Sequence, residues 1–135
     1  MINKEEMDRV ADTLMHVMMT GDVAKGEELF APDCTAWFNA LDQEISRGET
    51  LRLISMLSAN FVGFNYQDIG RCYADDGYAQ RHTVCGQTKD GRQFRVPACL
   101  FVTVRDGKIA YVRDYFDSAQ DPLKLIGGSE LRTSL

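Results

Sequence analysis

The spacing of hydrophobic residues changes from a helical period to a strand period near the middle of the chain. In residues 3–20 apolar side chains recur every three or four positions, which predicts a helix, and Asn3 followed by Glu6 is a capping-box pattern at its start. The same spacing predicts a shorter helix over residues 22–30 and a third over residues 49–60. A short strand is predicted between them, at residues 34–40.

The second half of the chain alternates apolar and polar residues with the period of a strand. Strands are predicted over residues 66–74, 78–88 and 93–105, followed by a last strand that contains Asp114. Asp-Gly pairs, which favour tight antiparallel turns, separate these runs at positions 76, 90 and 106. Helices followed by antiparallel strands predict one α+β domain over residues 1–135, in which a curved sheet packs against three N-terminal helices as a cone. The tail after about residue 121 is only weakly determined.

The last strand carries one acid in an otherwise apolar row. Asp114 shares a face with Ala110, Val112 and Phe116, and a carboxylate there is costly unless it is paired or used. This predicts a pocket with Asp114 in its wall. The opposite face is also too apolar for open solvent, which predicts a homodimer through the outer face of the sheet. The residues of that predicted contact are Ile109, Tyr111, Arg113 and Tyr115.

Strand register decides which residue of the neighbouring strands joins Asp114. With two-residue turns at positions 90 and 106, Cys99 lies opposite Asp114, and His82 rather than Arg81 shares its row. One bulge, for which Pro97 is a candidate, or an odd loop at residues 89–92 places Arg81 there instead. Both registers remain open at the level of the sequence.

Composition and charge exclude several classes of function. The chain has 135 residues and a net charge of −5, with no basic run, so a nucleic-acid partner is not expected. No apolar stretch approaches the roughly 20 residues that span a bilayer, and no hydrophobic signal region is present, which predicts a cytoplasmic protein without a membrane partner. The four cysteines and two histidines lack zinc spacing, so no metal site is predicted.

The order of the elements and two short segments resemble a known family. Leu29-Phe30-Ala31-Pro32-Asp33 and the final Arg113-Asp114-Tyr115-Phe116-Asp117 are similar to segments of the nuclear transport factor 2-like (cystatin-like) superfamily. Within it, the chain most resembles the SnoaL-like polyketide cyclases and limonene-1,2-epoxide hydrolase. The resemblance covers about residues 3–120 and implies a cone-shaped pocket for a small apolar molecule that needs no cofactor.

The resemblance also implies roles for individual residues. In the epoxide hydrolase the aspartate that matches Asp114 is the base, and Asn39 keeps an amide that assists it. Arg81 matches an arginine of the site, which implies that Arg81 faces inward. Two positions differ, because Trp37 replaces a tyrosine and Thr83 replaces an acid. The residues expected to contact the substrate are Trp37, Thr83, Cys99, Phe101, Val112 and Phe116.

These residues favour a small acid/base enzyme of the cyclase, isomerase or hydratase type, with Asp114 as base and with Arg81 and Asn39 beside it. Epoxide hydrolysis is expected to be weak, because threonine is a poor proton donor for the opening ring. The alternative is a non-catalytic module of the same fold that binds a ligand or only dimerises. A catalytic cone requires an unpaired Asp114 oxygen facing open space, whereas a scaffold would have Asp114 satisfied by Arg81.

Overall fold

The computed structural model describes residues 3–117 and 119, and it confirms the predicted α+β architecture. The predicted tail after residue 121 lies outside the described residues. The helices are α1 (Lys4–Thr20), α2 (Val23–Leu29) and α3 (Arg47–Asn60). The strands are β1 (Phe30–Phe38), β2 (Gln43–Ser46), β3 (Phe61–Ala74), β4 (Gly77–Thr88), β5 (Gln93–Arg105) and β6 (Lys108–Phe116). The sequence did not predict β2, and β1 and β3 begin earlier than expected.

Six strands form one curved, unclosed sheet in the order β2-β1-β6-β5-β4-β3. The four strands β3 to β6 pair as the predicted antiparallel meander, and β1 adds to β6 in parallel. The three helices and the inner face of the sheet bury the main core, in which Val10, Leu14, Ile54 and Leu100 are almost fully enclosed. The helices therefore leave the outer face of β4, β5 and β6 uncovered.

The helix ends form through local hydrogen bonds that the sequence encodes. The Asn3 side chain accepts the Glu6 backbone N–H at the start of α1, and Gly21 ends the helix in the left-handed region at φ 71°. Ser46 and Glu49 form a reciprocal capping box at the start of α3. These caps fix where each helix meets the sheet and thereby set the width of the space between them.

Two irregularities determine which side chains face inward. The loop between β4 and β5 has three residues, 89–91, because Gln87 pairs with Gln93. A second shift lies between β5 and β6 at Ala110, because Val104 pairs with Ile109 but Thr103 pairs with Tyr111. Each shift moves the register by one residue, so together they keep His82 on the inner face with Asp114. The bulge expected at Pro97 is absent from the β4–β5 pairing, which runs without interruption from Gly77 to Gln87.

The bulge at Ala110 also corrects the predicted outer face. Ile109 was expected there but points inward and is 0% exposed. Leu100 and Val102 lie opposite Asp114 and Val112, so they too belong to the buried core. The turn that precedes β6 has the predicted form, with Asp106 and Gly107 both at positive φ.

Candidate active site

An apolar cavity opens between the inner face of the sheet and α3. The space that water centres can occupy inside it is about 60 Å³, room for about four water molecules or one small ring. Its wall is almost wholly hydrophobic, and its polar side chains come from β3, β4 and β6. The lining residues are Phe38, Leu53, Leu57, Phe64, Tyr66, His82, Val84, Val96, Ala98, Asp114 and Phe116.

Asp114 is the acid of this wall, on the inner face of β6. It is 8% exposed, its Oδ1 atom is fully buried, and neither carboxylate oxygen receives a hydrogen bond from the part of the chain that the structure describes. Burial in this apolar environment raises the pKa of Asp114 from 3.8 to about 7. At neutral pH the carboxyl group is therefore divided between its ionised and protonated forms, as a general base or acid requires.

His82 lies on β4 and faces the same cavity. Its position pairs with Ala98 on β5, and Ala98 in turn pairs with Phe116 on β6. The small Ala98 side chain leaves space between His82 and the β6 wall. Burial lowers the pKa of His82 from 6.5 to about 4, so the imidazole is neutral at physiological pH. Since strands lie about 4.8 Å apart, the backbones of β4 and β6 are about 10 Å apart, and His82 and Asp114 line the cavity from strands that are not neighbours.

Tyr66 completes the polar part of the wall. Its ring meets the His82 ring edge to face at a centroid distance of 4.8 Å. Burial, together with the nearby Asp114 charge, raises the pKa of Tyr66 far above its ordinary value, so the phenol stays protonated and keeps an O–H that can donate. Tyr66 was not among the predicted site residues, because nothing in the β3 sequence distinguishes it from other strand tyrosines.

Arg81 does not join Asp114, which corrects the expectation from the family resemblance. It points to the outer face of β4, where the guanidinium lies over Gly70 and donates to the Asp68 carbonyl oxygen at 2.7 Å. Thr83 lies on that same outer face, two residues along. The inward positions of β4 belong instead to Gln80 and His82. Gln80 and His82 are polar residues in an inward row that begins with Tyr78 and ends with Val84. A polar residue in an apolar row is also the pattern that distinguished Asp114, and it is visible in the sequence.

Trp37 and Asn39 are also outside the cavity. Trp37 projects from the outer face of β1, where its ring stacks under the Arg113 guanidinium at 3.9 Å. Asn39 follows the end of β1, and both ends of its amide bond the backbone of Phe116, the nitrogen donating to the carbonyl oxygen at 2.8 Å and the oxygen accepting from the N–H at 3.2 Å. Its amide holds β1 against β6 and therefore positions Asp114 indirectly.

Of the six residues expected to contact a substrate, Phe116 lies in the cavity wall. Val112 is buried on the inner face, in the core below the cavity. Cys99 and Phe101 are on the outer face of β5, since the register places Leu100 rather than Cys99 opposite Asp114. Among the described residues no group of three His, Cys, Asp or Glu side chains is placed to hold a metal ion. No helix of the described part is long and apolar enough to cross a membrane.

A curved six-stranded sheet closed on one side by three helices, around an apolar cavity, defines a nuclear transport factor 2-like protein. The chain belongs to the SnoaL-like domain family, whose model matches residues 11–112. Among curated proteins, none matches this chain.

Several solved structures share the fold. IdmH, a proposed polyketide cyclase from Streptomyces antibioticus, is 19% identical with a TM-score of 0.75, over 87% of this chain and 96% of that one. A proposed polyketide cyclase from Xanthomonas campestris pv. campestris is 19% identical with a TM-score of 0.75, over 87% and 98%. An LEH-like epoxide hydrolase from M. tuberculosis is 18% identical with a TM-score of 0.72, over 86% of each chain. At these identities the similarity establishes the fold alone.

Proposed function

We propose that the protein is an acid/base enzyme that moves a proton beside the carbonyl group of a compact, largely apolar substrate, as in a cyclisation or isomerisation. The observation that carries the proposal is the unpaired Asp114 carboxylate in the apolar cavity wall. A buried carboxylate without a partner costs stability, and such a cost is typical of functional sites. In the scaffold alternative Arg81 neutralises this charge, but the Arg81 guanidinium is bound on the opposite face.

The proposed step needs a base and a neutral hydrogen-bond donor. The ionised Asp114 takes a proton from the carbon beside the carbonyl, the C–H electron pair becomes the C=C bond of an enolate, and the carbonyl π pair moves onto oxygen. A donor from the opposite wall, where Tyr66 and His82 lie, stabilises the oxygen charge. Asp114 then returns the proton to the same or another carbon, so the step needs no redox partner.

Loss of deuterium from labelled ketones tests this proposal. Cyclohexanone, 1-indanone and acetophenone, deuterated beside the carbonyl, are incubated in H2O with the protein, and mass spectrometry follows the washout. We expect the wild-type protein to accelerate washout of at least one ketone. Asp114→Asn should lower that rate by about 10² to 10⁴-fold, because it removes the base while preserving shape.

The matched control is Arg81→Gln, which removes a charge from the outer face of the same sheet. We expect it to retain the wild-type rate, whereas the role implied by the family resemblance would make it as damaging as Asp114→Asn. Equal washout by wild-type protein and Asp114→Asn would refute the proposal. Binding of a ketone without any washout would favour the non-catalytic alternative.

Epoxide hydrolysis is expected to be weak, but for a corrected reason. Thr83 is not in the cavity, and the neutral side chains of Tyr66 and His82 are poor proton donors for an opening epoxide. We expect slow turnover of styrene oxide by wild-type protein and faster turnover by His82→Asp, which introduces an acid into the cavity wall. Thr83→Asp is the control and should change nothing. Rapid hydrolysis by the wild-type protein would contradict this expectation.

We also infer a homodimer that acts in the cytoplasm. Its contact is the outer sheet face in its corrected form, called here the aromatic face: Trp37, Phe101, Tyr111, Arg113 and Tyr115. Phe101 is 51% exposed and Tyr115 38% exposed, unusual values for large apolar side chains that lie side by side. None of the four cysteines is in a disulfide, which suits a reducing compartment.

A further inference from the structure

A continuous chain of side-chain hydrogen bonds connects the surface of α1 with the cavity. Asp8 and Asp12 on α1 accept from the Arg71 guanidinium on β3 at 3.0 and 2.8 Å. The third Arg71 nitrogen, Nε, donates to the Gln80 Oε1 atom on β4 at 2.8 Å. Gln80 Nε2 then lies 3.0 Å from His82 Nδ1. Each direction of the arginine fork is occupied, so Arg71 has one orientation.

Arg71 fixes the orientation of the Gln80 amide. A guanidinium can only donate, so the Gln80 atom facing it is the oxygen and the other end is the NH2 group. One hydrogen of that NH2 group is directed to the Met15 sulfur at 3.3 Å and the other to His82 Nδ1. Gln80 is 0% exposed, so water cannot replace these partners.

The same geometry determines where the His82 proton lies. Because Gln80 donates to Nδ1, that nitrogen carries a lone pair, and a neutral imidazole must carry its proton on Nε2. Nε2 has no hydrogen-bond partner within the described residues, while the ring lines the cavity. Protonation of Nδ1 would set two N–H groups against each other, and the pinned amide cannot turn to relieve this.

We propose that His82 is the neutral hydrogen-bond donor of the cavity, and that Gln80 and Arg71 are positioning residues that hold it in the Nε2–H tautomer. The inference rests on the proposed function, since it assigns the donor that faces the developing oxygen charge across the cavity from Asp114. A neutral donor suits this role because it stabilises the enolate oxygen without giving up its proton. Asp8 and Asp12 on α1 therefore help to orient His82 through Arg71 and Gln80.

The first test observes the tautomer directly, without any turnover. The protein has two histidines, so His16→Asn in protein made with ¹⁵N-histidine leaves only the His82 signals. Long-range ¹H–¹⁵N NMR at pH 7.5 should show the proton on Nε2. Gln80→Glu should move a proton onto Nδ1, because a carboxylate accepts from both Arg71 and His82. Gln87→Glu, the same change elsewhere on β4, should leave the wild-type pattern. A wild-type proton on Nδ1, or a Gln80→Glu spectrum like the wild type, would overturn the proposal.

The second test measures the donor role. In the ketone washout assay, His82→Phe keeps a ring without a donor and should lower kcat by about 100-fold with a smaller change in KM. Gln80→Glu should also lower kcat, with Gln87→Glu again as control. Thermal melting checks that each variant is folded. Unchanged kcat in folded His82→Phe would refute the donor role even if Asp114→Asn abolishes washout.

A binding readout separates this inference from the proposed function. Addition of cyclohexanone should shift the His82 Nε2–H resonance, because the carbonyl oxygen accepts from it. If no ketone loses deuterium but the resonance shifts, the proposed reaction fails and the donor assignment is supported. If the resonance does not respond to any of the three ketones, the donor assignment is wrong.

Discussion

Arg113 and Asp114 are neighbours on β6, and the two faces of the sheet give them opposite surroundings. On the outer side the Arg113 guanidinium stacks on Trp37 and donates to the hydroxyl groups of Tyr115 at 2.5 Å and Tyr111 at 3.4 Å. On the inner side the Asp114 carboxylate receives no hydrogen bond from the described residues. The cation has two hydroxyl partners and a ring beneath it near solvent, whereas the buried acid has no partner among the described residues.

This difference is the one expected between a polar group that only stabilises the fold and one that acts on a substrate. On the aromatic face the polar groups bond one another and Glu44 near solvent, so a change there is expected to alter contacts rather than chemistry. The cavity retains an unsatisfied acid at a cost to stability, and proteins keep such costs where activity requires them. Tyr78 OH is a second buried and unpartnered oxygen, but a neutral hydroxyl costs less than a carboxylate. Four changes test whether the two faces differ in this way.

Asp114→Asn should give the largest change in stability, and the change should be a gain. The folded pKa of Asp114, about 7, is above the unfolded value of 3.8, so between about pH 4 and 7 the folded state holds a proton that the unfolded chain has lost. Stability from this group therefore falls as pH rises through that window. At pH 8 the variant should exceed wild type by up to about 4 kcal/mol, since the folded and unfolded pKa values differ by about three units at 1.4 kcal/mol each.

His82 gives the unfolding free energy a pH dependence of the opposite sign. Urea unfolding at fixed protein concentration, repeated across pH, separates the contributions of Asp114 and His82. The folded pKa of His82, about 4, is below the unfolded value of 6.5, so stability from this group rises between those two pH values. The variant lacks the opposing fall from Asp114, so its stability advantage over the wild type should grow as pH rises from 4 to 7. A variant less stable than wild type at pH 8 would show that Asp114 is paired after all.

The rate of deuterium loss from the ketones should depend on pH through the ionisation of Asp114. Since the pKa of Asp114 in the free enzyme is about 7, kcat/KM should rise roughly tenfold per pH unit below pH 6 and level off above 8. The pKa of His82, near 4, leaves it neutral throughout this range, so no falling limb is expected up to pH 9. A midpoint near pH 4 instead would mean that Asp114 is solvated or paired in solution.

The sequence was sufficient for the three helices, the four-strand meander and the position of Asp114, because these depend on local patterns, whereas it missed the short strand β2. Helical spacing, Asn3 as a cap and the Asp106-Gly107 turn each act within a few residues, and the structure has each of them. Asp114 stood out because a charge in an apolar row is unusual wherever the strand packs. Its role as a base stays a prediction.

Which residues of β4 and β5 face Asp114 depends on the register between strands, and register is set by residues far apart in the sequence. A single-residue shift exchanges the two faces of a strand, and the bulge at Ala110 moved Cys99 to the outer face in this way. The two shifts cancel for His82, which regular hairpins would also have placed inward. The family resemblance favoured Arg81 and, with it, one register shift, but the structure has two shifts, and the second returns His82 to the inner face.

The aromatic face should change the state of assembly rather than the chemistry. Light scattering at micromolar concentration should give twice the chain mass of 15.2 kDa. Phe101→Glu should shift the protein toward monomer, because a two-fold axis brings the new charges together in an apolar contact. Val23→Glu, on a side chain 37% exposed at the start of α2, is the control and should leave the dimer intact. A wild-type monomer would remove the proposed contact.

Arg113→Lys should give the smallest effect and is the sharpest comparison with Asp114→Asn. Lysine keeps the charge but loses the flat guanidinium that stacks on Trp37 and bonds two tyrosines. Because the replaced group is at the surface, we expect Tm to fall by a few degrees at most. Trp37 is the only tryptophan, so its fluorescence should report the lost stacking directly. Washout of deuterium should keep its wild-type rate and pH midpoint, since the change lies on the other side of the sheet from the cavity. A large loss of washout in a folded Arg113→Lys protein would show that the two faces are coupled through β6, and that the separation drawn between neighbouring residues is wrong.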